Sequence, residues 1–419
     1  MQNKRNLALV NKAWNRHLQQ FLYEFVWISR ASQAKALALT LLTHYIDGKV
    51  SSGQYIRRLH METPGLKRCA PDDIRTILDY APYIVIYSDH RSVRCSRYSD
   101  LGDLRCSPEQ MFSALAHPNS KLRRLSVTNY CDEPFPHLMS PMLQHTAASL
   151  EYLELSSLSF PLISRDSLEQ LPSDIVALPV LQSLKLTLDN VTFAVLAAWD
   201  MPNLRNVSVV STDFSYTGPG FAQFFRAHGA KLRQLELGHS SSLIEEYYLA
   251  LPPRPQSPIP LAEWCPELRE FICSADAEWN WQTPDWIAPH VLLPAHPRIE
   301  FIGIRDIDKR LEDDASAFPG NEADDAPFFP LVEQLSSLLH AEAFPSLRYI
   351  RDLSRASHTM RTAHPQMGVI KFWAKILSRC RERQVWLEDF RGINITQRDL
   401  QRAGLALAQN NQGASINWA

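Results

Sequence analysis

Histidine and cysteine are common metal ligands and catalytic side chains, and in this chain neither forms a recognisable group. No two of the 14 histidines are four residues apart, the spacing that places two imidazoles on one helix face. The seven cysteines are odd in number and include no CxxC pair: Cys69, Cys95, Cys106, Cys131, Cys265, Cys273 and Cys380. The sequence therefore predicts no metal site and no disulfide framework, and it favours free thiols in a reducing compartment.

Catalytic motifs are equally scarce. Cys131 and His137 are near enough along the chain to act as nucleophile and base, but Pro134 and Pro136 lie between them and indicate a loop. There is no G-x-S-x-G elbow, no H-E-x-x-H and no glycine-rich phosphate loop in a chain with 14 glycines. We therefore expect a protein that is not an enzyme and needs no cofactor.

The charge balance argues against nucleic acid and anionic membranes as partners. Lys and Arg together number 43 and Asp and Glu 45, a formal net charge of −2 with a pI near 6.7. No apolar run reaches the roughly 18 residues of a membrane-spanning helix, and the N-terminal segment lacks the pattern of a secretory signal. The sequence thus predicts a cytoplasmic or nuclear protein.

One motif recurs along the chain and indicates the elements that must position any site. Apolar residues alternate at its fourth and sixth positions, which is typical of a short strand with one buried face. This frame, L-x-x-L-x-L, begins at Leu122, Leu150, Leu181, Leu204 and Leu232, with weaker copies from Ile56, Leu268, Ile299 and Leu347 and near Val385. Segments with helical spacing lie between the copies, among them 138–149, 192–203, 220–231 and 328–344.

Strands and helices of this kind must stack to bury their apolar faces. The copies follow one another irregularly, close to the period of about 20 to 29 residues found in leucine-rich repeats. We therefore predict an α/β fold, an irregular, ribonuclease-inhibitor-like leucine-rich-repeat solenoid with parallel strands on the concave face, helices outside and an N-terminal helical cap. A doubly wound α/β domain is the alternative, since it also alternates strands with helices.

The predicted organisation has three parts. Residues 1–50 form a helical segment, residues 51–390 hold the repeats, and residues 391–419 form a C-terminal cap and tail. Loop insertions interrupt the repeats near 242–260, where prolines concentrate, and at 311–327, where acidic and small residues concentrate.

The first helical segment resembles part of a known interaction module. The stretch NLALVNKAWNRHLQQFLYEFVWI, from Asn6, is similar to the C-terminal half of an F-box as found before leucine-rich repeats in fungal proteins. The matching residues are Leu7, Leu9, Val10, Trp14, Leu22, Tyr23 and Val26. The resemblance implies a substrate-recognition subunit of an SCF-type (Skp-cullin-F-box) ubiquitin ligase, in which the repeats hold a substrate protein. It implies contacts with a Skp-type adaptor by Leu7, Val10, Trp14, Leu22 and Tyr23.

The leading LP-x-E-[IL] segment, which supplies much of the adaptor contact in an F-box, does not precede these residues, so we expect adaptor binding that is weak or absent. The same apolar residues also suit a helix that caps the first strand of a solenoid. The alternative function is therefore a leucine-rich-repeat binding scaffold with no ubiquitin-ligase link.

The frame also predicts where a partner protein would bind. Residues between and just after the buried leucines point to the opposite side of the sheet, the concave face of a solenoid. The predicted contact residues carry both signs of charge and one aromatic ring: Arg124, Ser126, Tyr152, Glu154, Lys185, Asn206, Gln234 and Glu236. Such a surface suits a protein partner, although it is equally expected of the solvated side of a sheet. For a second aromatic group, Trp279, Trp281 and Trp286, internal packing is the favoured role.

Overall fold

The computed structural model describes residues 12–48, 51–63, 68–90, 108–116, 121–128, 143–156, 176–187, 190–209, 219–238, 260–275, 293–317 and 328–414. The strands are β1 (Phe25–Ile28), β2 (Arg58–Met61), β3 (Ile86–His90), β4 (Arg124–Thr128), β5 (Tyr152–Ser156), β6 (Ser183–Thr187), β7 (Asn206–Val209), β8 (Gln234–Leu237), β9 (Glu270–Ser274), β10 (Phe301–Arg305), β11 (Tyr349–Asp352) and β12 (Trp386–Glu388).

Helices lie between many of these strands. They are α1 (Lys12–Tyr23), α2 (Ala31–Ile46), α3 (Pro71–Tyr80), α4 (Pro108–Leu115), α5 (Asn190–Ala197), α6 (Pro219–His228), α7 (Leu261–Trp264), α8 (Ile307–Ala317), α9 (Phe329–Leu338), α10 (Arg355–Thr362), α11 (Met367–Glu382) and α12 (Gln397–Ala414). Among the described residues, no helix is long and apolar enough to cross a membrane.

The strands form one sheet in which each strand lies beside the next in chain order, from β1 to β12. The pairing is parallel and keeps equivalent frame positions in line, so that Leu125 lies opposite Leu153 and Leu153 opposite Leu184. A doubly wound sheet would reverse its strand order at a switch point. The observed order instead fits a repeat solenoid, and the α/β class is as predicted.

The chain divides into two compact units. Unit 1 comprises Met1–Val207 and Gly218–His228, and unit 2 comprises Ser208–Thr217 and Gly229–Ala419. Strands β1 to β6 and helices α1 to α6 therefore belong to unit 1. Strands β8 to β12 and helices α7 to α12 belong to unit 2, and the division falls within β7.

The frame residues form the core of unit 1. The first and fourth positions of three successive copies are buried: Leu122, Leu125, Leu150, Leu153, Leu181 and Leu184. Burying one such side chain contributes about 1.5 to 3 kcal/mol. Helices α5 and α6 extend this core with Phe193, Phe221 and Phe224, whose rings meet edge to face.

Unit 2 repeats this arrangement. The equivalent inward residues of its strands are buried: Leu235, Phe271, Ile302, Ile350 and Leu387. Strand β12 is followed by a return of the chain, in which the Ile395 amide donates to the Leu387 carbonyl at 2.8 Å and the Asp389 amide donates to the Ile393 carbonyl at 2.8 Å. Helix α12 then packs against α11. The predicted cap and tail, 391–419, thus contain part of this return and α12.

Two predicted segments differ from the structure. Residues 1–50, expected to be helical, contain strand β1 between α1 and α2, because Phe25–Ile28 pairs with β2 as the first strand of the sheet. The insertion predicted at 311–327 begins as helix, since α8 continues to Ala317. Residues 242–259 of the other insertion, and the tryptophans at 279, 281 and 286, lie outside the described residues.

Candidate interaction face of the parallel sheet

The residues that alternate with buried ones along the strands form what we call the polar sheet face. In unit 1, Arg124 lies beside Tyr152 in one cross-strand row, and Ser126, Glu154 and Lys185 line up in the next. Asn206 also lies on this face, where its amide donates to Ser183 Oγ at 3.0 Å. In unit 2, Gln234 and Glu236 hold the same two positions of β8. The structure therefore places all eight predicted contact residues between inward-facing ones.

Two of these residues are less exposed than the frame predicted. Ser126 is 8% exposed and Glu236 is 9% exposed, because each is engaged by neighbouring side chains on the face. The prediction that the whole face is simply solvated is wrong for these positions. Their contact with a partner remains a prediction.

Glu154 organises the polar sheet face of unit 1. Its carboxylate accepts hydrogen bonds from Ser126 Oγ at 2.8 Å and Tyr152 Oη at 3.2 Å, and it pairs with Lys185 Nζ at 2.8 Å. Burial alone would raise the pKa of Glu154, but the hydrogen bonds from Lys185 and Ser126 outweigh it, so that the pKa lies below its usual range. We call these four residues the Glu154 cluster. The carboxylate is ionised and already fully engaged.

Tyr152 is held in the Glu154 cluster in its neutral form. Burial, and then the Glu154 charge, raise the pKa of its phenol to about 12. The Arg124 guanidinium lies over the Tyr152 ring, 4.3 Å from its centroid. This cation–π contact orients Arg124 without neutralising it.

A second group on the same face of unit 1 was not predicted. Trp27 in β1 is 51% exposed and meets the His60 ring with centroids 6.0 Å apart. The His60 ring in turn meets His90 at 5.3 Å. Phe25, 42% exposed, and the exposed Arg58 lie beside each other in the first cross-strand row. We call Phe25, Trp27, Arg58, His60 and His90 the aromatic-basic patch.

His90 contributes no charge to the aromatic-basic patch at neutral pH. Burial is the largest influence on the pKa of its imidazole and lowers it. The smaller influences are the charge of Glu154, which raises this pKa, and that of His60, which lowers it. His90 Nε2 is 3.0 Å from Ser88 Oγ. The exposed carboxylate of Glu62 follows β2 and lies 3.6 Å from His60 Nε2.

In unit 2 the charged residues of the polar sheet face are paired with one another. Glu236 accepts from Ser208 Oγ at 2.7 Å and forms an ion pair with Arg305. Gln234 Nε2 donates to Glu270 at 3.0 Å. These contacts hold Glu236 in place within the sheet, so this carboxylate is a structural partner of Arg305.

Arg351 is the second paired arginine of unit 2. Its Nε and Nη2 donate to Glu388 Oε2 at 2.8 and 2.7 Å, and its guanidinium lies 5.0 Å from the Phe301 ring centroid. Arg351 therefore combines the stacking seen for Arg124 with an ion pair, which Arg124 does not form with any residue in the described ranges.

A buried polar group lies at the end of β11 in unit 2. Asp352 accepts from the Ser354 amide at 2.8 Å and from the Ser357 hydroxyl, and Arg361 is buried nearby. Burial raises the pKa of Asp352 to about 6, because the hydrogen bonds and the Arg361 charge only partly offset the loss of hydration. This carboxyl takes up protons more readily in the folded chain than in water.

The described thiols are buried and poorly suited to attack a substrate. Burial raises the pKa of Cys69 to about 11 and of Cys265, Cys273 and Cys380 to about 12. The pair Cys131 and His137 lies outside the described residues. No group of three or more His, Cys, Asp or Glu side chains in the described ranges is arranged to hold a metal ion.

The described residues include three of the five that we expect to contact an adaptor. Leu7 and Val10 lie outside the described residues, Trp14 lies within α1, and Leu22 and Tyr23 are half-buried at the end of that helix. Val26, which also matched the F-box pattern, belongs to strand β1. The helical part of the resemblance thus ends at Tyr23.

Comparison with known proteins adds little. No protein-family model matches the chain, and no curated protein matches it. One solved structure that does match, a complex of Rad7 and Elc1 from yeast, is 12% identical, with a TM-score of 0.23 over 77% of this chain and 88% of that chain. At that TM-score the likeness carries no argument about the function of this chain.

Proposed function

We propose that this chain is a non-enzymatic protein of the irregular leucine-rich-repeat type that binds another protein through its polar sheet face. The observation that carries the proposal is the row of side chains formed by Phe25, Arg58, Ile86, Arg124 and Tyr152, which are aligned in register across five strands. Arginine and aromatic residues are the types enriched where binding energy concentrates in protein interfaces.

The chemistry of the described side chains supports binding over catalysis. The pKa values of the four buried thiols and of Tyr152 are raised, away from the neutral range in which a nucleophile or general base works. Free buried cysteines also suit the cytoplasm or nucleus, where thiols stay reduced. We expect neither nucleic acid nor a membrane as the partner.

Site-specific photo-cross-linking tests this function. A photoreactive phenylalanine analogue replaces Tyr152 on the polar sheet face, and in a matched variant it replaces Leu39, an exposed residue of α2 in the same unit. We expect cross-links to one partner protein in cells from position 152 and none to that protein from position 39. Equal cross-linking from both positions, or cross-linking from position 39 alone, would contradict binding by the sheet face.

As the finer form of this proposal, the chain is a substrate-recognition subunit of an SCF-type ubiquitin ligase. The support is the resemblance of residues 6–28 to the C-terminal half of an F-box, with Leu7, Val10, Trp14, Leu22 and Tyr23 toward a Skp-type adaptor. The alternative, a repeat scaffold without a ligase link, is favoured by the placement of Val26 in the sheet, since a residue of β1 serves the repeats.

Calorimetric titration of a purified Skp-type adaptor into the protein separates these two forms. We expect weak binding, with Kd above about 1 μM or roughly −8 kcal/mol, that disappears in Trp14→Ala. No measurable binding would remove the ligase link and leave the protein-binding function in place, whereas binding that survives Trp14→Ala would remove Trp14 from the predicted adaptor contact.

A further inference from the structure

The aromatic-basic patch and Arg124 together form a surface with an identifiable charge. Arg58 and Arg124 hold equivalent positions in β2 and β4, with Ile86 of β3 between them. Neighbouring strands are about 4.8 Å apart, so the two arginine backbones are about 10 Å apart. Both side chains are exposed.

Neither arginine has a carboxylate partner in the part of the chain that the structure describes. Other cations near this face do have one, since Lys185 pairs with Glu154 at 2.8 Å and Arg123 pairs with Glu151 at 2.6 Å. Glu154 is already engaged by the Glu154 cluster. Two exposed positive charges therefore remain available to an acidic ligand.

Apolar anchors flank these charges. Phe25 adjoins Arg58 in the cross-strand row, and Trp27 projects from the same strand face against His60. Exposed aromatic rings beside arginines can bury apolar surface around an ion pair and so shield it from water. This arrangement favours a peptide that carries both carboxylates and an apolar side chain.

We propose that this surface of unit 1 binds an acidic segment of the partner protein, in which Arg58 and Arg124 each receive a carboxylate and Phe25 and Trp27 receive an apolar side chain. The inference rests on the proposed function and specifies the partner's chemistry. A peptide in the polyproline II conformation rises about 3.1 Å per residue with three residues per turn, so carboxylates three positions apart lie on one side of it, at about the separation of the two arginines. A nucleic acid would require more unpaired cations along the surface than these two.

Fluorescence polarisation with designed peptides tests the inference. The probe is a labelled peptide of about twelve residues with two glutamates three positions apart and a nearby phenylalanine, and its controls carry glutamines or lysines in place of the glutamates. We expect the acidic peptide alone to bind, and the double variant Arg58→Glu with Arg124→Glu to weaken it by about tenfold or more while accepting the lysine peptide. Trp27→Ala should also weaken binding of the acidic peptide, and this loss of affinity should depend less on salt concentration than the loss caused by reversing the two arginines.

A matched control separates local from general electrostatics. Arg398→Glu with Arg402→Glu changes the net charge equally on exposed residues of α12, and we expect it to alter peptide affinity less than about twofold. Circular dichroism melts verify that both double variants are folded. Equal effects of the two double variants, or no binding of the acidic peptide, would overturn the inference. So would a polyuridine RNA that binds more tightly than the peptide and is lost on reversal of Arg58 and Arg124.

The cross-linking experiment distinguishes failure of this inference from failure of the proposed function. If the partner still cross-links to position 152 in the variant with Arg58 and Arg124 reversed, the sheet face binds a partner by other chemistry and only the acidic-segment inference fails. If position 39 and not position 152 captures the partner, the function itself fails, whatever the peptides do.

Discussion

The two units build the same inward-facing core but use the charges of the polar sheet face differently. In unit 2, Arg305 and Arg351 are paired with Glu236 and Glu388. In unit 1, the arginines at positions 58 and 124 have no such partner among the described residues. Paired charges fix side chains and help hold neighbouring strands in register, whereas unpaired exposed charges add little stability and stay available to a ligand. The difference indicates that the face of unit 1 is the one suited to binding.

The largest expected effect is the loss of stability when a buried leucine is replaced by alanine. It tests whether the same frame position has the same role in the cores of the two units. Leu153→Ala and Leu184→Ala in unit 1, and Leu235→Ala in unit 2, remove buried side chains at the same frame position. We expect each to lower the free energy of unfolding by about 2 to 5 kcal/mol, because each leaves a cavity. Urea unfolding followed by circular dichroism measures the loss.

An exposed leucine provides the control for this prediction. Leu39→Ala on α2 should change the unfolding free energy by less than about 1 kcal/mol, because this side chain is already half in water. If Leu153→Ala cost no more than Leu39→Ala, the register assigned to β5 would be wrong.

The sequence predicts this core well because a period-two pattern fixes which side of a strand faces inward. Ten strands coincide with the clear or weak copies of the frame. Strands β1 and β3 were missed for separate reasons. At β3, the buried Ile84 before the strand and Tyr87 within it fit the frame, but the last inward position holds Asp89. The alternation of β1 directly follows the apolar pattern of α1, so the sequence alone predicts that the helix continues through this strand.

The second prediction contrasts the pH dependence of two carboxyl groups, Asp352 in unit 2 and Glu154 in unit 1. The pKa of Asp352 is raised from 3.8 to about 6 by burial, so its stabilising contribution is complete below about pH 3.8 and is lost as the pH rises through 6. That loss amounts to roughly 3 kcal/mol. Asp352→Asn removes the charge; its oxygen can still accept from the Ser354 amide, and its NH2 group can donate to the Ser357 hydroxyl oxygen in place of the bond that Asp352 accepts. The stability of this variant relative to the parent chain should therefore increase between pH 4 and pH 7.

Glu154 should show the opposite trend. Burial would raise its pKa, but the hydrogen bonds from Lys185 and Ser126 lower it, so this contribution is present above about pH 4.5 and is lost as the pH falls through the lowered pKa. Glu154→Gln should therefore lose the most stability relative to the parent chain near neutral pH. Unfolding in urea at several pH values measures both trends, with the exposed Glu342→Gln as control. Parallel trends for the two variants would contradict the contrast.

The candidate site was less predictable than the core. Alternation places Arg124, Tyr152 and Glu236 on one face, but it does not reveal which charges find partners, because Arg305 and Glu236 are 69 residues apart in the chain. A charge reversal at Glu236 would face Arg305, and one at Lys185 would leave Glu154 without its cation. Reversing Arg124, Lys185 and Glu236 together, a natural test from the sequence, would thus disturb the fold as well as binding.

The third prediction compares two stacked arginines. Arg351→Ala removes a cation over Phe301 and leaves the Glu388 carboxylate, 8% exposed as a residue, without its partner. We expect a loss of about 1 to 2 kcal/mol, since an unsatisfied and poorly hydrated acceptor remains. Arg124→Ala removes the contacts with Tyr152 but leaves no described carboxylate without its partner, and it should cost about 0.5 to 1 kcal/mol. Thermal melts of the two variants measure the difference, and Arg351→Lys is the control that retains the charge without the guanidinium. Equal losses of stability for Arg124→Ala and Arg351→Ala would contradict the distinction between a paired arginine in unit 2 and an unpaired one in unit 1.

The smallest expected effect is that of Arg58→Ala, and it tests the distinction most directly. The Arg58 side chain is exposed and has no hydrogen-bond or ion-pair partner among the described residues, so its removal should change the unfolding free energy by less than about 0.5 kcal/mol. The same substitution should weaken binding of the acidic peptide severalfold, because it removes one of the two charges that meet the peptide. A residue that contributes to affinity and not to stability is placed for a ligand. If Arg58→Ala instead destabilised the chain by as much as Arg351→Ala, its guanidinium would be part of the fold, as in unit 2, and Arg124 alone of the two arginines would remain available to a ligand.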